Sequence, residues 1–331
     1  MKALLYTGPK QLVYTDVAEP KPKADETLID LDCSGICGSD MHAFLGHDER
    51  RPAPLILGHE AAGVIAAGPN AGQRVTVNPL VSCGVCEACR EGRDNLCPDR
   101  QIISMPPREG SFAQRLAMPP GNLVTVPDRV PLWHAALTEP MACGWHAVKL
   151  TLRLSQRAAD QMQAVVLGGG AIGIGAALSL AAQGVRSVTV LETNPGRLAR
   201  LRRDLPQFEF HAAFEEAGSR APDLVIDAVG FAPTRAIASG IVKPGGVIAH
   251  IGLGEAEGGL DIRRMTLQEI TFCGTYTYTA ADFRETAQAI FNGDFGRFDW
   301  VEQRSLRDGA QAFDDLLAGR VDAGKIVLMA E

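Results

Sequence analysis

The run Gly168-Gly169-Gly170-Ala171-Ile172-Gly173 constrains the fold of this 331-residue chain more than any other feature. It follows the apolar stretch Ala164-Val165-Val166-Leu167 directly and opens a segment with helical patterning. Glycines at such a junction allow a tight turn and let the backbone reach a pyrophosphate, whose charge a helix N-terminus favours. The G-x-G-x-x-G pattern alone is weak, since a plain Gly-rich turn also fits it. Its setting strengthens it. Glu192 closes the next apolar run, Val188-Thr189-Val190-Leu191, where an acid accepts the adenosine ribose hydroxyls. Gly168, Gly170, Ala171, Ile172 and Gly173 are therefore candidate dinucleotide contacts, together with Glu192 and Arg197. Glu192 repels a 2′-phosphate and so favours NAD; Arg197 weakens that preference, because a nearby guanidinium meets a phosphate. Residues 164–185 also imitate a membrane span, being uncharged. Five glycines near their start, and Ala where lipid-facing Leu belongs, favour the turn and helix instead.

Strands and helices alternate around this junction. Leu224-Val225-Ile226-Asp227 and Val247-Ile248-Ala249-His250-Ile251 read as further buried strands, and Asn194 to Arg203 as a helix with Pro195 in its first turn. Such alternation predicts a doubly wound parallel sheet with helices on both faces. Val229, Ile251 and Leu253, at and beyond the ends of those strands, complete the candidate cofactor contacts. The first 130 residues differ. Short apolar runs such as Thr27-Leu28-Ile29-Asp30-Leu31 and Gln73-Arg74-Val75-Thr76-Val77, punctuated by Pro, Gly and Asn, predict a partly open barrel or rolled sheet. From Leu132 to Leu150 the pattern is helical. Beyond Thr275 the pattern gives a helix from about Ala280 to Phe291 and a last strand at Lys325-Ile326-Val327-Leu328, which packs back on the first domain.

Lys plus Arg is 32 against 39 Asp plus Glu, a net charge of −7. No Lys/Arg cluster interrupts that balance, which argues against nucleic acid and anionic membrane as partners. The segment Met1-Lys2-Ala3-Leu4-Leu5-Tyr6 has no export signal, so a cytoplasmic protein is expected. In that compartment the eight cysteines serve metal binding rather than disulfides. Cys83-x2-Cys86-x2-Cys89-x7-Cys97 is the most specific motif in the chain. Four thiolates on one loop match a closed tetrahedral zinc site that stabilises without catalysing. An iron–sulfur run is the rival, but it places three residues before its last cysteine, not seven.

Cys37, in Gly35-Ile36-Cys37-Gly38-Ser39-Asp40-Met41-His42, and His59, in Gly58-His59-Glu60, form a second candidate. Catalytic zinc needs only three protein ligands and keeps a position open. Taken alone, Cys37 also fits a buried structural thiol, and His59 a satisfied turn histidine.

These motifs occur in the order found in the zinc-dependent medium-chain alcohol dehydrogenases, which the chain resembles over essentially its whole length. The likeness is to the polyol (sorbitol-like) branch, through Thr138-Glu139-Pro140 with His146 behind it. The resemblance implies an α/β Rossmann NAD-binding domain at 144–277 and a β-rich GroES-like catalytic domain at 1–143 and 278–331. It implies two zincs per chain, one at the four cysteines and one held by Cys37 and His59, with Glu60 and Glu139 as acids binding directly or through water. Asp40 corresponds to the carboxylate that orients the histidine ligand. Ser39 corresponds to the hydroxyl that takes the alcohol proton, and His42 to the histidine that passes it to solvent.

The expected activity is oxidation of a secondary alcohol, a polyol or sugar-derived one, to the ketone. A short-chain alcohol or amino-alcohol (threonine-type) substrate is the alternative. A non-catalytic NAD-binding sensor has no use for Ser39 and His42, and a zinc-free reductase none for the cysteines. Ser39, Phe44, Leu45, Glu139 and Thr275-Tyr276-Thr277-Tyr278 are the expected pocket wall. Thr277 stands where sorbitol-type enzymes carry Arg. The loop His47-Asp48-Glu49-Arg50-Arg51 either extends that polar surface or is simply solvated. A homodimer or homotetramer, paired near Thr271 to Thr275, is expected.

Overall fold

The computed structural model describes residues 1–218 and 221–330. The chain divides into two units, Pro140–Tyr278 and Met1–Glu139 with Thr279–Glu331.

In the Pro140–Tyr278 unit, six parallel strands lie side by side. Their order is Glu209–His211, Ser187–Leu191, Gln163–Leu167, Leu224–Asp227, Val247–His250, Thr271–Gly274. By chain position this is 3-2-1-4-5-6, the doubly wound order whose direction reverses beside the first strand. Val165, Val166, Val190, Val225, Ile226 and Ile248 are buried, as continuous apolar strands covered on both faces must be. The uncharged segment forms the Ala171–Ala182 helix, buried from Gly173 to Leu180. Gly173 is dictated by packing, since a Cβ there would lie 1.8 Å from the Gly168 carbonyl oxygen. Among the described residues no helix is long and apolar enough to cross a membrane. Asn194 caps the Pro195–Asp204 helix by accepting from the Arg197 amide at 2.9 Å.

The other unit is built on a seven-stranded sheet centred on the Thr27–Gly35 strand. That strand pairs antiparallel with Glu60–Ile65, Arg115–Met118 and Lys325–Met329. Ile29, Leu31, Ala61, Val75, Val77 and Leu116 fill one core beside it, and a second core gathers Leu4, Tyr6, Phe112, Phe313, Ile326 and Leu328.

The helical pattern from Leu132 to Leu150 is realised as two helices, Leu132–Ala136 and Thr138–Leu154. Pro140 has no N–H to give to the Ala136 carbonyl, so it fits only the first turn of a new helix. One expectation is corrected here: Phe44 is not a pocket residue. It is 2% exposed and meets the Phe313 ring edge-on at 5.2 Å, as part of the core.

Candidate metal centres and cofactor pocket

The antiparallel register between Thr27–Gly35 and Glu60–Ile65 places Gly35 opposite Glu60. Cys37 leaves one strand where His59 enters the other, so residues 22 positions apart in sequence become neighbours. The register of Lys325–Met329 sets Val327 opposite Gly35, which brings Lys325 to the same end of the sheet. Metal-binding atoms of Cys37, His59 and Glu60 all lie within 4.8 Å of one another. Glu60 is fully buried; its Oε1 accepts from Lys325 Nζ at 2.5 Å, and Lys325 also donates to the Ile36 carbonyl at 2.8 Å. Glu60 Oε2 has no partner among the described residues. A buried carboxylate oxygen left bare is costly, and a cation bound beside Cys37 and His59 would satisfy it. Gly35 makes room for it, since a Cβ there would meet Oε2 at 2.0 Å.

Asp40, fully buried on the Gly38–Phe44 helix, organises this end. It accepts from the Cys37 amide at 3.0 Å and the Gly58 amide at 3.2 Å, and lies 3.4 Å from His59 Nδ1. Burial pushes its pKa up, but His59, then Arg51 and the Cys37 amide, outweigh burial and leave it below the usual carboxylate range. Burial lowers His59's affinity for a proton, yet the negative charge of Asp40 and Cys37 raises its pKa well above the ordinary value. A cation can take the place of that proton.

Ser39 is half-buried and His42 exposed. Three residues apart on the Gly38–Phe44 helix, they share a face. Glu139, in the first turn of Thr138–Leu154, is buried, and its charge acts on Lys325. The ligand cluster leaves Glu139 out. Lys325 was missed by sequence reasoning, because its partner lies 265 residues away and no local pattern announces it.

The second centre is the four-cysteine lobe, whose thiols also converge within 4.8 Å. Cys83 and Cys89 sulfurs are 4.0 Å apart, and Cys86 and Cys89 sulfurs 3.5 Å. A tetrahedron with zinc–sulfur bonds of about 2.3 Å requires about 3.8 Å between sulfurs. The backbone amides of Val85 and Cys86 lower the Cys83 thiol to about 7, which prepares a thiolate. Asp94, inside the lobe, accepts from the Ala280 amide at 3.0 and 3.2 Å and so holds the first turn of the Ala280–Asn292 helix. Cys89→Ala should lower stability and speed hydrogen exchange at that turn, with Cys37 chemistry intact. Metal analysis and exchange mass spectrometry would check both.

In the Pro140–Tyr278 unit, a cavity of about 1130 Å³ is lined by Gly168, Gly170, Glu192, Arg197, Val229 and Phe214, among others. Ala171, Ile172 and Gly173 form the helical turn beside it. Glu192 is buried and rigidly held. Its carboxylate accepts from the Gly169 amide at 3.0 Å, the Asn194 amide at 2.7 Å and Arg197 Nη1 at 3.2 Å. Ile251 and Leu253 are not part of this lining, and Leu253 is 81% exposed. Thr277 has a left-handed backbone, φ 45°, costly for a β-branched residue. Its buried hydroxyl has no partner among the described residues.

A glycine-lined cavity beside a doubly wound sheet, a four-thiolate lobe and a Cys–His–Glu cluster are the arrangement expected of a zinc-type dehydrogenase. Comparison with known proteins agrees. The family model described as "Alcohol dehydrogenase GroES-like domain" matches residues 23–128, and "Zinc-binding dehydrogenase" matches 171–292. L-galactonate-5-dehydrogenase of Escherichia coli is 32% identical over 307 residues, 88% of either chain. Sorbitol dehydrogenase of Bacillus subtilis is 31% identical over 296 residues, 84% of this chain and 82% of its own. A solved E. coli oxidoreductase of unknown specificity superposes with a TM-score of 0.90 at 27% identity, over 100% of this chain and 99% of its own. The chain belongs to the zinc-dependent medium-chain alcohol dehydrogenase family, in the branch that includes the polyol dehydrogenases.

Proposed function

We propose that this enzyme oxidises a secondary hydroxyl of a polyol or sugar acid to the ketone, with NAD as acceptor and two zincs per chain. The observation that carries the reading is the bare buried Glu60 Oε2 beside Cys37 and His59. Zinc held there by Cys37, His59 and Glu60 supplies Lewis-acid polarisation of the alcohol oxygen, and NAD supplies the hydride acceptor. Asp40 orients the His59 ring. Ser39 takes the alcohol proton, and His42 hands it to solvent, imidazole being the side chain that exchanges protons near neutrality. Glu139 acts at one remove, through water.

The substrate class follows from the hydroxylated substrates named for the two relatives, since a site built to hydrogen-bond hydroxyls discriminates against a purely apolar alcohol. A parallel NAD-coupled assay of polyols, sugar acids, secondary alkanols and primary alkanols tests it. The highest kcat/KM is expected for a polyol or sugar acid; a primary alkanol exceeding all of them overturns the reading.

NAD is preferred because Glu192, fixed in the cavity lining by the Gly169 and Asn194 amides, carries a charge that disfavours a 2′-phosphate, and Arg197 offsets it only in part. Glu192→Ala should narrow the NAD/NADP ratio of kcat/KM by at least about tenfold, read from steady-state kinetics. Assembly as a homodimer or homotetramer is supported by the Thr271–Gly274 strand, an unpaired sheet edge with exposed Phe272, Leu267 and Ile262 close by in sequence. Light scattering would measure it.

A further inference from the structure

The loop His47-Asp48-Glu49-Arg50-Arg51 ends in a side chain that is not surface at all. Arg51 is 3% exposed. Its Nη1 donates to the Ser39 carbonyl at 2.6 Å and its Nε to the Ser104 carbonyl at 3.0 Å. Asp48 Oδ2 lies 3.6 Å from Nη1. Burying a guanidinium is expensive unless its donors are used, and here they join two separate segments. One is the first turn of the Gly38–Phe44 helix. The other is the fully buried, left-handed Ser104 (φ 68°), seven residues past Cys97. Only a rigid fork spans two carbonyls in fixed directions; an ammonium is a point donor on a flexible stem.

We propose that Arg51 is a positioning residue for the reaction, holding Ser39 through its own carbonyl in the orientation that lets its hydroxyl take the alcohol proton. The inference rests on the proton-relay reading of Ser39. The helix carrying Ser39 has seven residues and little stability of its own, so its first turn stays where its surroundings hold it. The Cys37 amide is pinned by Asp40 on one side, and the Ser39 carbonyl by Arg51 on the other. Without the second anchor the Ser39 hydroxyl is free to shift by a fraction of an ångström, enough to slow a proton transfer severalfold or more.

The test is a double-mutant cycle on the zinc-loaded enzyme with its best alcohol substrate and NAD. Arg51→Lys should lower kcat about 10–30-fold while leaving the KM for NAD within twofold, because the dinucleotide contacts are untouched. Ser39→Ala should be slower still, and Arg51→Lys/Ser39→Ala no slower than Ser39→Ala, since Arg51 acts through a hydroxyl already gone. A kcat loss under threefold in Arg51→Lys, or a double variant that loses the product of the two single factors, overturns the proposal. Arg51→Gln, which keeps a donor for one carbonyl, is run through the same cycle and decides the matter if Arg51→Lys does not fold. A Ser39→Ala enzyme as fast as the parent instead sinks the relay reading itself.

Discussion

Cys37→Ala is expected to reduce kcat at least about 10³-fold with the fold intact, as about 4 kcal/mol of Lewis-acid stabilisation disappears. Cys37 caps a short helix and lies between two strand ends, so its removal leaves both sheet registers undisturbed. Thermal unfolding should move little, and metal analysis should show one zinc lost and the four-cysteine lobe still loaded. Near-parental turnover after Cys37→Ala would dismiss the cluster as the reaction centre.

Lys325→Met should produce the largest loss of stability. Lys325 and Glu60 are both buried, and the ammonium is held protonated: burial lowers its pKa, but the charges of Glu60, Cys37 and Glu139 raise it further. In the metal-free protein, where no cation stands beside Glu60, removing one member of such a pair leaves the other charge uncompensated, at a cost of about 3–5 kcal/mol. That is a large part of a typical folding free energy of about 5–15 kcal/mol. Urea unfolding of the metal-free protein would measure it. Lys325→Met/Glu60→Gln should be more stable than Lys325→Met alone, because no buried charge is then unpaired; a double variant that is worse would refute the pairing argument.

The parts legible in the sequence share one property: their chemistry is written in contiguous residues. The glycine run falls at a strand-to-helix turn and Glu192 just past a strand end, as expected, because turn, helix start and strand end are local events. The four cysteines occupy fifteen positions, and no tertiary contact is needed to see them as one ligand set. The rest is set by register and by packing at long range. The Lys325–Glu60 pair depends on a strand order that no local period reveals. Arg51 reads as one more charge in a polar loop, since nothing in its neighbours marks the two carbonyls it serves. Phe44 follows the motif Cys37 to His42 so closely that it inherits a pocket role, but its direction is set by Phe313, far along the chain.

The Lys325–Met329 strand lies between Thr27–Gly35 and Val301–Ser305 in the seven-stranded sheet. A ribosome therefore delivers Cys37, His59 and Glu60 long before the lysine that balances Glu60 exists. The four-cysteine lobe, by contrast, is complete once residue 97 has emerged. Two metals bound as proposed would thus belong to different moments in the life of a nascent chain. The lobe can take its ion during synthesis, while the reaction centre reaches its final charge balance only after the late strand has threaded into place. On that reading, zinc scarcity during translation would favour chains with a filled lobe and an empty centre.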